Sequence, residues 1–135
     1  MLFEIHTLWL MRYMNYDEVM ATLSPSAPVD ALREELKGGF EPANDQERQK
    51  VALPHGEMQL LPAATEGAVG VKVLGIQPVG SDVDVPFVQG SYLLMGGKTL
   101  TPEAVIDAAA LTELRTPAVS VACVVDPVSY THLTL

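Results

Sequence analysis

Two stretches in the first third of the chain place apolar residues at helical spacing. A short helix is expected over residues 16–23, with Asn15 positioned to cap its first turn. A second helix is expected to begin at Pro28, since apolar residues repeat every three to four positions over Val29–Leu36. Gly38 and its following glycine are typical of a helix end. The pattern therefore predicts two N-terminal helices.

The apolar pattern changes to alternation from about residue 50, which is typical of strands. Lys50–Leu53 and Glu57–Leu61 flank the turn residues Pro54–Gly56 and predict a β-hairpin. Val69–Ile76 is rich in β-branched residues, and Pro86–Leu94 has similar character. Hairpin spacing between these strands favours a mostly antiparallel sheet.

The last third of the chain has features of both helix and strand. Thr101–Glu103 resembles a helix start, while Ala104–Ile106 fits a strand equally well. Ala108–Leu114 is helical by composition, and Thr116-Pro117 is expected to open a separate helix. The whole pattern predicts an α+β fold with two N-terminal helices and a mostly antiparallel or mixed sheet of four or five strands, followed by helix.

Composition and charge exclude several classes of function. The 135 residues allow one domain with a core, and 48% of them are apolar. Seventeen acidic residues against eight basic ones give a net charge of −9, which argues against nucleic-acid binding. The lone Cys123 excludes an internal disulfide and a Cys-based zinc site, and we expect it to be a buried thiol. Since no apolar run is long enough to span a bilayer, a cytoplasmic protein is expected.

Most side chains that could bind a metal ion or a phosphate lack the partners that such a site needs. His55 and Glu57 are two potential ligands and do not make a metal site. Asp82 and Asp84 have calcium-loop spacing, but the other ligand positions are absent. The sequence contains no Gly-rich phosphate-binding loop. We therefore assign no metal ligand and no catalytic residue.

Three of the few basic residues stand at unusual positions. Lys72 interrupts an apolar strand, so either its ammonium points into a protein layer and needs an anionic partner, or it protects a sheet edge. Arg48 precedes the predicted hairpin, and a surface role suits it as well as a functional one. Arg115 lies where the second of two predicted helices begins, and an anion would be favoured there by its guanidinium and by free helix N–H groups. A solvated arginine at a helix end is the alternative.

Four segments of the chain together resemble one protein family. They are Arg48–Gly56, Leu60–Ala63, Gly70–Val73 and Leu111–Ser120. Their letters and their spacing resemble the first half of the ornithine cyclodeaminase/mu-crystallin family, over roughly Asp30–Val125. No single segment is specific, but the combination is.

The resemblance implies a substrate-binding and dimerisation domain whose mixed sheet pairs across two subunits. In the family a Rossmann domain that binds NAD or NADP follows, and we expect that domain to lie beyond these 135 residues. Arg48, Lys72 and Arg115 match the family's residues for the substrate carboxylate, and Arg115 and Thr116 match positions beside the dinucleotide. The implied partners are a small amino or imino acid with a carboxylate and a second copy of the longer protein.

Two departures from the family widen the range of activities. Gln59 stands where the ornithine-specific branch has a Glu for the distal amine, and Phe87 stands where that branch has a cofactor-contacting Thr. The resemblance thus implies an N-terminal fragment of an NAD-dependent enzyme acting at Cα of a small amino or imino acid, either an ornithine cyclodeaminase-like lyase or an imine reductase or amino-acid dehydrogenase. The alternatives are a non-catalytic mu-crystallin-like ligand-binding protein and a standalone interaction domain.

The two ends of the chain differ from its middle. Residues 1–14 fit either a spurious leader or a first strand, and residues 15–127 form the expected domain. Residues 128–135 do not resemble the family; they look like the translation of a sequencing adaptor, although a divergent native tail is the alternative. We expect the fragment alone to be inactive, because the family's catalytic Asp lies in the second domain.

Overall fold

The computed structural model of the protein describes residues 11–41, 43 and 45–124. Of the predicted leader or first strand at residues 1–14, residues 1–10 lie outside the described residues, as does the predicted non-native tail at 128–135. The elements in chain order are β1 (Arg12–Met14), α1 (Tyr16–Thr22), α2 (Ala27–Lys37), β2 (Gln49–Leu53), β3 (Gly56–Ala64), β4 (Ala68–Ile76), β5 (Val88–Gly96), β6 (Pro102–Asp107) and α3 (Ala108–Val124). The predicted α+β fold with a mixed sheet is confirmed.

Both N-terminal helices begin and end where local chemistry predicts. The Asn15 side chain accepts a hydrogen bond from the Glu18 backbone N–H at 3.0 Å, and the Glu18 carboxylate accepts one from the Asn15 backbone N–H at 2.9 Å. This capping box satisfies two N–H groups that the first turn of α1 leaves free. Helix α2 ends at Lys37 with Gly38 as its C-cap, and Gly39 then adopts a positive φ of 95° that other residues rarely take.

The six strands form one sheet in the order β1-β6-β5-β4-β3-β2. Four of the five strand pairs are antiparallel, and only the three-residue strand β1 pairs in parallel, with β6. The predicted hairpin joins β2 to β3 through Pro54 and His55. Gly56 follows with a φ of 143°, and a Cβ there would collide with the Ile76 carbonyl of β4. The residue after the turn must therefore be glycine.

The C-terminal part differs from the prediction in two ways. Residues 102–107 form strand β6, so the strand expected as one alternative at Ala104–Ile106 is confirmed and the helix start at Thr101–Glu103 is wrong. Asp107 instead begins the helix, since its carboxylate accepts a hydrogen bond from the Ala110 N–H at 2.8 Å. Residues 108–124 form a single helix, so the second helix expected at Thr116-Pro117 is also wrong.

Pro117 lies inside α3, where proline removes one backbone hydrogen bond. Leu114 and Ala118 on either side of it are buried, with 9% and 2% of their surface exposed. Burial of these side chains against the rest of the domain offsets the loss and keeps the helix continuous.

The helices pack on one face of the sheet. Helix α3 contacts β4, β5 and β6, and α1 and α2 pack against α3. The centre of the core is formed by Val19, Ala110 and Leu114. Ile106 of β6 and Met14 of β1 pack against this cluster from the sheet, which fixes α3 above the strands that carry the functional side chains.

Two expectations from composition concern exposure and membranes. Cys123 is exposed on α3, so the prediction that it is a buried thiol is wrong: its helical position faces away from the core. Within residues 11–124 no helix is long and apolar enough to cross a membrane.

Candidate functional site

The sheet register aligns one row of side chains beneath the helices. Leu61, Lys72, Tyr92 and Ile106 are direct partners across β3, β4, β5 and β6. Direct partners on neighbouring strands point to the same face of a sheet. Because Ile106 packs into the core under α3, the whole row faces the helical layer.

Lys72 therefore points into the protein layer, as one of the two interpretations of its position predicted. Strand β4 lies between β3 and β5, so the alternative that Lys72 protects a sheet edge is wrong. Its ammonium donates a hydrogen bond to the Thr112 hydroxyl of α3 at 3.3 Å. The Thr112 hydroxyl in turn donates to the Ala108 carbonyl at 2.7 Å, which fixes its orientation.

The row forms part of a pocket of about 690 Å³ between the sheet, α2, α3 and the segment before β2. Most of its lining is apolar. The polar and charged side chains that line it are Glu35, Asp45, Gln46, Arg48, Lys72, Tyr92 and Arg115. A large apolar pocket with a few convergent polar groups is the usual form of a small-molecule site.

The structure brings Arg48, Lys72 and Arg115 together on this pocket. Partial burial lowers the pKa of the Lys72 ammonium below its ordinary value of 10.5, and the positive charges of Arg115 and then Arg48 lower this pKa further. Among the described residues no carboxylate forms an ion pair with any of the three. The pocket therefore holds three cations whose mutual repulsion an anionic ligand would relieve.

Arg115 lines the pocket, but it does not lie at the start of a helix as expected. It lies in the middle of α3, so no helix N-terminus stands beside it, and the expected contribution of free N–H groups is wrong. Its position one turn after Thr112 instead places it beside the ammonium of Lys72. The site thus depends on side-chain charge rather than on a helix end.

Thr116 lines a second, smaller pocket of about 390 Å³ that shares Lys72 with the first. The Thr116 hydroxyl donates to the Thr112 carbonyl at 2.8 Å, which leaves its oxygen free to accept a hydrogen bond. The chemistry of Arg115 and Thr116 fits contact with one part of a phosphate-bearing cofactor. It does not fit a complete dinucleotide site, because the sequence has no Gly-rich phosphate loop.

The remaining candidates lie away from both pockets. No group of His, Cys, Asp and Glu side chains in the described part of the chain is arranged to hold a metal ion, and His55 lies in the β2–β3 turn. Phe87 is exposed in the segment before β5. The Gln59 amide donates to the Glu57 carboxylate at 2.6 Å, so these two side chains on β3 form a half-buried pair.

Sequence reasoning missed Tyr92, which lies beside Lys72 on the pocket. Burial raises the pKa of its phenol above 10.0, so the hydroxyl remains a hydrogen-bond donor across the neutral pH range. The strand around Tyr92 was predictable, but its pairing with Lys72 was not. That pairing depends on an eleven-residue connection between β4 and β5, over residues 77–87, whose length does not determine register.

The arrangement is suited to binding one carboxylate next to an apolar body. A guanidinium offers a planar pair of donors, and an ammonium offers a point charge. In a half-buried pocket such contacts are screened less than on an open surface. These contacts are suited to binding and orienting a ligand through its carboxylate.

Solved structures with a similar fold come from several organisms. An archaeal alanine dehydrogenase dimer with bound NAD is 25% identical over 81% of this chain, with a TM-score of 0.68. A probable ornithine cyclodeaminase from Bordetella pertussis Tohama I is 23% identical over 82% of this chain, with a TM-score of 0.67. A Thermococcus litoralis Δ1-pyrroline-2-carboxylate reductase in complex with NADH and L-proline is 23% identical over 82%, with a TM-score of 0.68.

The matched region is only part of each of those proteins. The chain covers 34% of the alanine dehydrogenase, 34% of the cyclodeaminase and 36% of the reductase. It therefore spans about a third of their length. A search of the curated proteins finds no match to this sequence.

The family model of the ornithine cyclodeaminase/mu-crystallin family matches residues 13–125 of the sequence. This range begins within β1, earlier than the start near Asp30 expected from the sequence, and it includes Arg48, Lys72 and Arg115. The match extends over most of the 135 residues, and the fold of the solved structures agrees with it. The chain belongs to the ornithine cyclodeaminase/mu-crystallin family.

Proposed function

We propose that this chain is the substrate-binding domain, over residues 15–127, of a longer NAD-dependent enzyme that acts at Cα of a small amino or imino acid. The observation that carries the proposal is the convergence of Arg48, Lys72 and Arg115 on one pocket without a carboxylate partner among the described residues. In so acidic a chain, this local excess of positive charge is suited to an anionic ligand.

The three cations have distinct roles in this proposal. The Arg115 fork, projecting from α3, binds the two carboxylate oxygens of the substrate, and Lys72 neutralises their charge from the sheet side. Arg48 closes the pocket from the segment before β2. Holding the carboxylate at several points fixes the orientation of Cα, and orientation of this kind contributes several orders of magnitude to the rate of a bound reaction.

The cofactor in this proposal is NAD or NADP, bound mainly by a part of the longer protein outside this chain. The alanine dehydrogenase and pyrroline-carboxylate reductase structures of similar fold contain NAD and NADH, which supports it. When bound, the nicotinamide accepts or supplies a hydride at the substrate carbon. Arg115 and Thr116 are the residues of this chain that we expect to contact the cofactor.

The substrate class is broader than ornithine in this proposal. Gln59 is neutral and its amide is already bonded to Glu57, so it does not replace a Glu that would bind a basic side chain. Glu35 and Asp45 are the carboxylates that line the pocket, so basic side chains remain within the class. The pocket lining is mostly apolar, which favours an aliphatic or cyclic side chain. The similar proteins named for alanine and for pyrroline-2-carboxylate have substrates of that kind.

The longer protein is proposed to be a cytoplasmic homodimer. One face of the sheet lies under the helices, and the opposite face presents half-buried apolar side chains, among them Val71, Val73 and Leu93. Strand β2 forms an edge of the sheet with exposed apolar residues. The archaeal alanine dehydrogenase is a dimer, which supports a dimeric state.

Binding of L-proline by the 135-residue chain tests the proposal, with L-prolinamide as a matched ligand that lacks only the carboxylate. We expect L-proline to bind and L-prolinamide to bind at least about tenfold more weakly, since a charge-assisted hydrogen bond contributes roughly 1.5–3 kcal/mol. Isothermal titration calorimetry or amide chemical shifts provide the readout. With NAD and L-proline together the chain is expected to show no turnover.

Equal binding of the two ligands would contradict a carboxylate site. Turnover of L-proline by the 135-residue chain would contradict the proposal that the chemistry needs a further domain.

A further inference from the structure

Tyr92 occupies a distinctive place in the pocket. Among the described residues that line the pocket, it is the only aromatic side chain and the only hydroxyl. It lies on β5 directly across from Lys72, and Ile106 flanks it on the other side. Its side chain therefore projects into the pocket between the cations and the apolar core.

Gly70 provides the space that the Tyr92 ring occupies. The phenol lies over Gly70 of β4, and a Cβ at that position would collide with the hydroxyl and with the ring edge. Gly70 is itself buried and pairs with Leu94, the residue two positions after Tyr92. The ring thus leans diagonally along the sheet, away from Lys72 and toward the apolar part of the pocket.

The Tyr92 hydroxyl is separate from the cation cluster. Gly70 lies two residues from Lys72 along the strand, or about 6.6 Å, and the Lys72 ammonium is directed instead to Thr112. Burial raises the pKa of the phenol, whereas three adjacent positive charges would lower it. Within the described part of the chain the hydroxyl has no hydrogen-bond partner. It is a donor without an acceptor, set apart from the carboxylate site.

We propose that Tyr92 is a specificity-determining residue: its hydroxyl donates a hydrogen bond to an oxygen acceptor on the side chain of the bound amino or imino acid. The inference rests on the proposed function, since it takes the carboxylate to be held by Lys72 and Arg115. A carboxylate held there leaves the side chain to extend across Tyr92, whose hydroxyl lies over Gly70 two residues along β4 from Lys72. The favoured ligands carry an ether, carbonyl or hydroxyl oxygen there.

The test compares ligands that differ in this oxygen, using the 135-residue chain. L-glutamine and O-methyl-L-serine carry an acceptor at δ and γ, and L-norleucine and L-norvaline are the corresponding ligands without it. Replacing Tyr92 by Phe removes only the hydroxyl. We expect Tyr92→Phe to weaken binding of at least one acceptor ligand by roughly three- to tenfold, the effect of one neutral hydrogen bond, and to leave the aliphatic ligands unchanged.

Two further variants complete the design. Tyr13→Phe removes a hydroxyl from an exposed tyrosine that does not line the pocket, and it is expected to leave every affinity unchanged. Gly70→Ala displaces the Tyr92 ring and is expected to reproduce the loss of acceptor preference. Circular dichroism of each variant reports whether the fold is retained, and Tyr92→Phe alone decides the question if Gly70→Ala does not fold.

The outcomes separate this inference from the proposed function. If all four ligands bind and Tyr92→Phe changes none of the affinities, the role of Tyr92 is overturned and the carboxylate site stands. If the unsubstituted chain binds none of the four, the carboxylate site fails and this inference fails with it.

Discussion

Replacing Lys72 by methionine is expected to weaken carboxylate binding and at the same time to make the free domain more stable. Loss of one charge-assisted contact weakens L-proline binding by about 10- to 100-fold. The free domain becomes more stable because the variant no longer holds a partly buried ammonium beside Arg115 and Arg48. We expect its melting temperature to rise, and to rise less in high salt, which screens the repulsion.

The stability gain from this substitution has a defined pH dependence. Because the folded-state pKa of Lys72 is lowered below 10.5, folding is penalised wherever the lysine is charged in both states. The penalty is complete below the lowered pKa and disappears as the pH rises from that value to 10.5. The difference between Lys72→Met and the unsubstituted chain is therefore largest at neutral pH and becomes smaller in the alkaline range.

Lys98→Met is the matched control, since Lys98 is exposed in the β5–β6 connection and lines neither pocket. It is expected to leave both the melting temperature and L-proline binding unchanged. A fall in melting temperature for Lys72→Met would show that the ammonium stabilises the free fold, contrary to an unneutralised cation cluster. Unchanged L-proline binding would show that Lys72 does not contact the carboxylate.

Replacing Arg115 by alanine is expected to reduce L-proline binding by roughly 10- to 150-fold with little change in stability. The side chain is exposed on α3, so its removal affects the free energy of unfolding by no more than about 0.5 kcal/mol. Arg115→Lys is expected to recover only part of the binding, because an ammonium restores the charge but not the planar pair of donors. Titration calorimetry and thermal unfolding of both variants measure the two effects separately.

Arg12→Ala provides the matched control for Arg115, since Arg12 is exposed on β1 and lines neither pocket. It removes the same net charge from the chain. If Arg12→Ala weakens L-proline binding as much as Arg115→Ala does, the attraction is a general effect of net charge rather than a contact in the pocket.

Local signals in the sequence were sufficient for the elements whose ends depend on their own residues. Asn15 begins α1 through a capping box of adjacent residues, and Gly56 follows the β2–β3 turn because no side chain fits there. The cations Arg48, Lys72 and Arg115 were singled out by their positions in the sequence, and the resemblance gave them a shared role in carboxylate binding. The direction in which Lys72 points was left open. That direction depends on β4 being an inner strand, which the pattern of one strand does not reveal.

Features that depend on distant pairing were not predictable. Thr116-Pro117 is a residue pair typical of a helix start, which is why a separate helix was expected there. Burial of Leu114 and Ala118 on either side of Pro117 instead keeps α3 continuous. Tyr92 was missed because its place beside Lys72 follows from register across a long connection. Strand β1 is only three residues long and pairs with β6, about ninety residues away in sequence, so it carries almost no local signal.

Titration of the Lys72 ammonium by NMR, with and without L-proline, tests the carboxylate site most directly. In the free chain its pKa is expected to lie below 10.5, because of burial and of the two neighbouring arginines. A bound carboxylate favours the charged form, so saturating L-proline is expected to raise this pKa. By linkage, L-proline affinity then falls as the pH rises from the pKa of the free chain to that of the complex. A Lys72 pKa that stays the same at saturating L-proline would contradict the placement of the carboxylate between Lys72 and the two arginines.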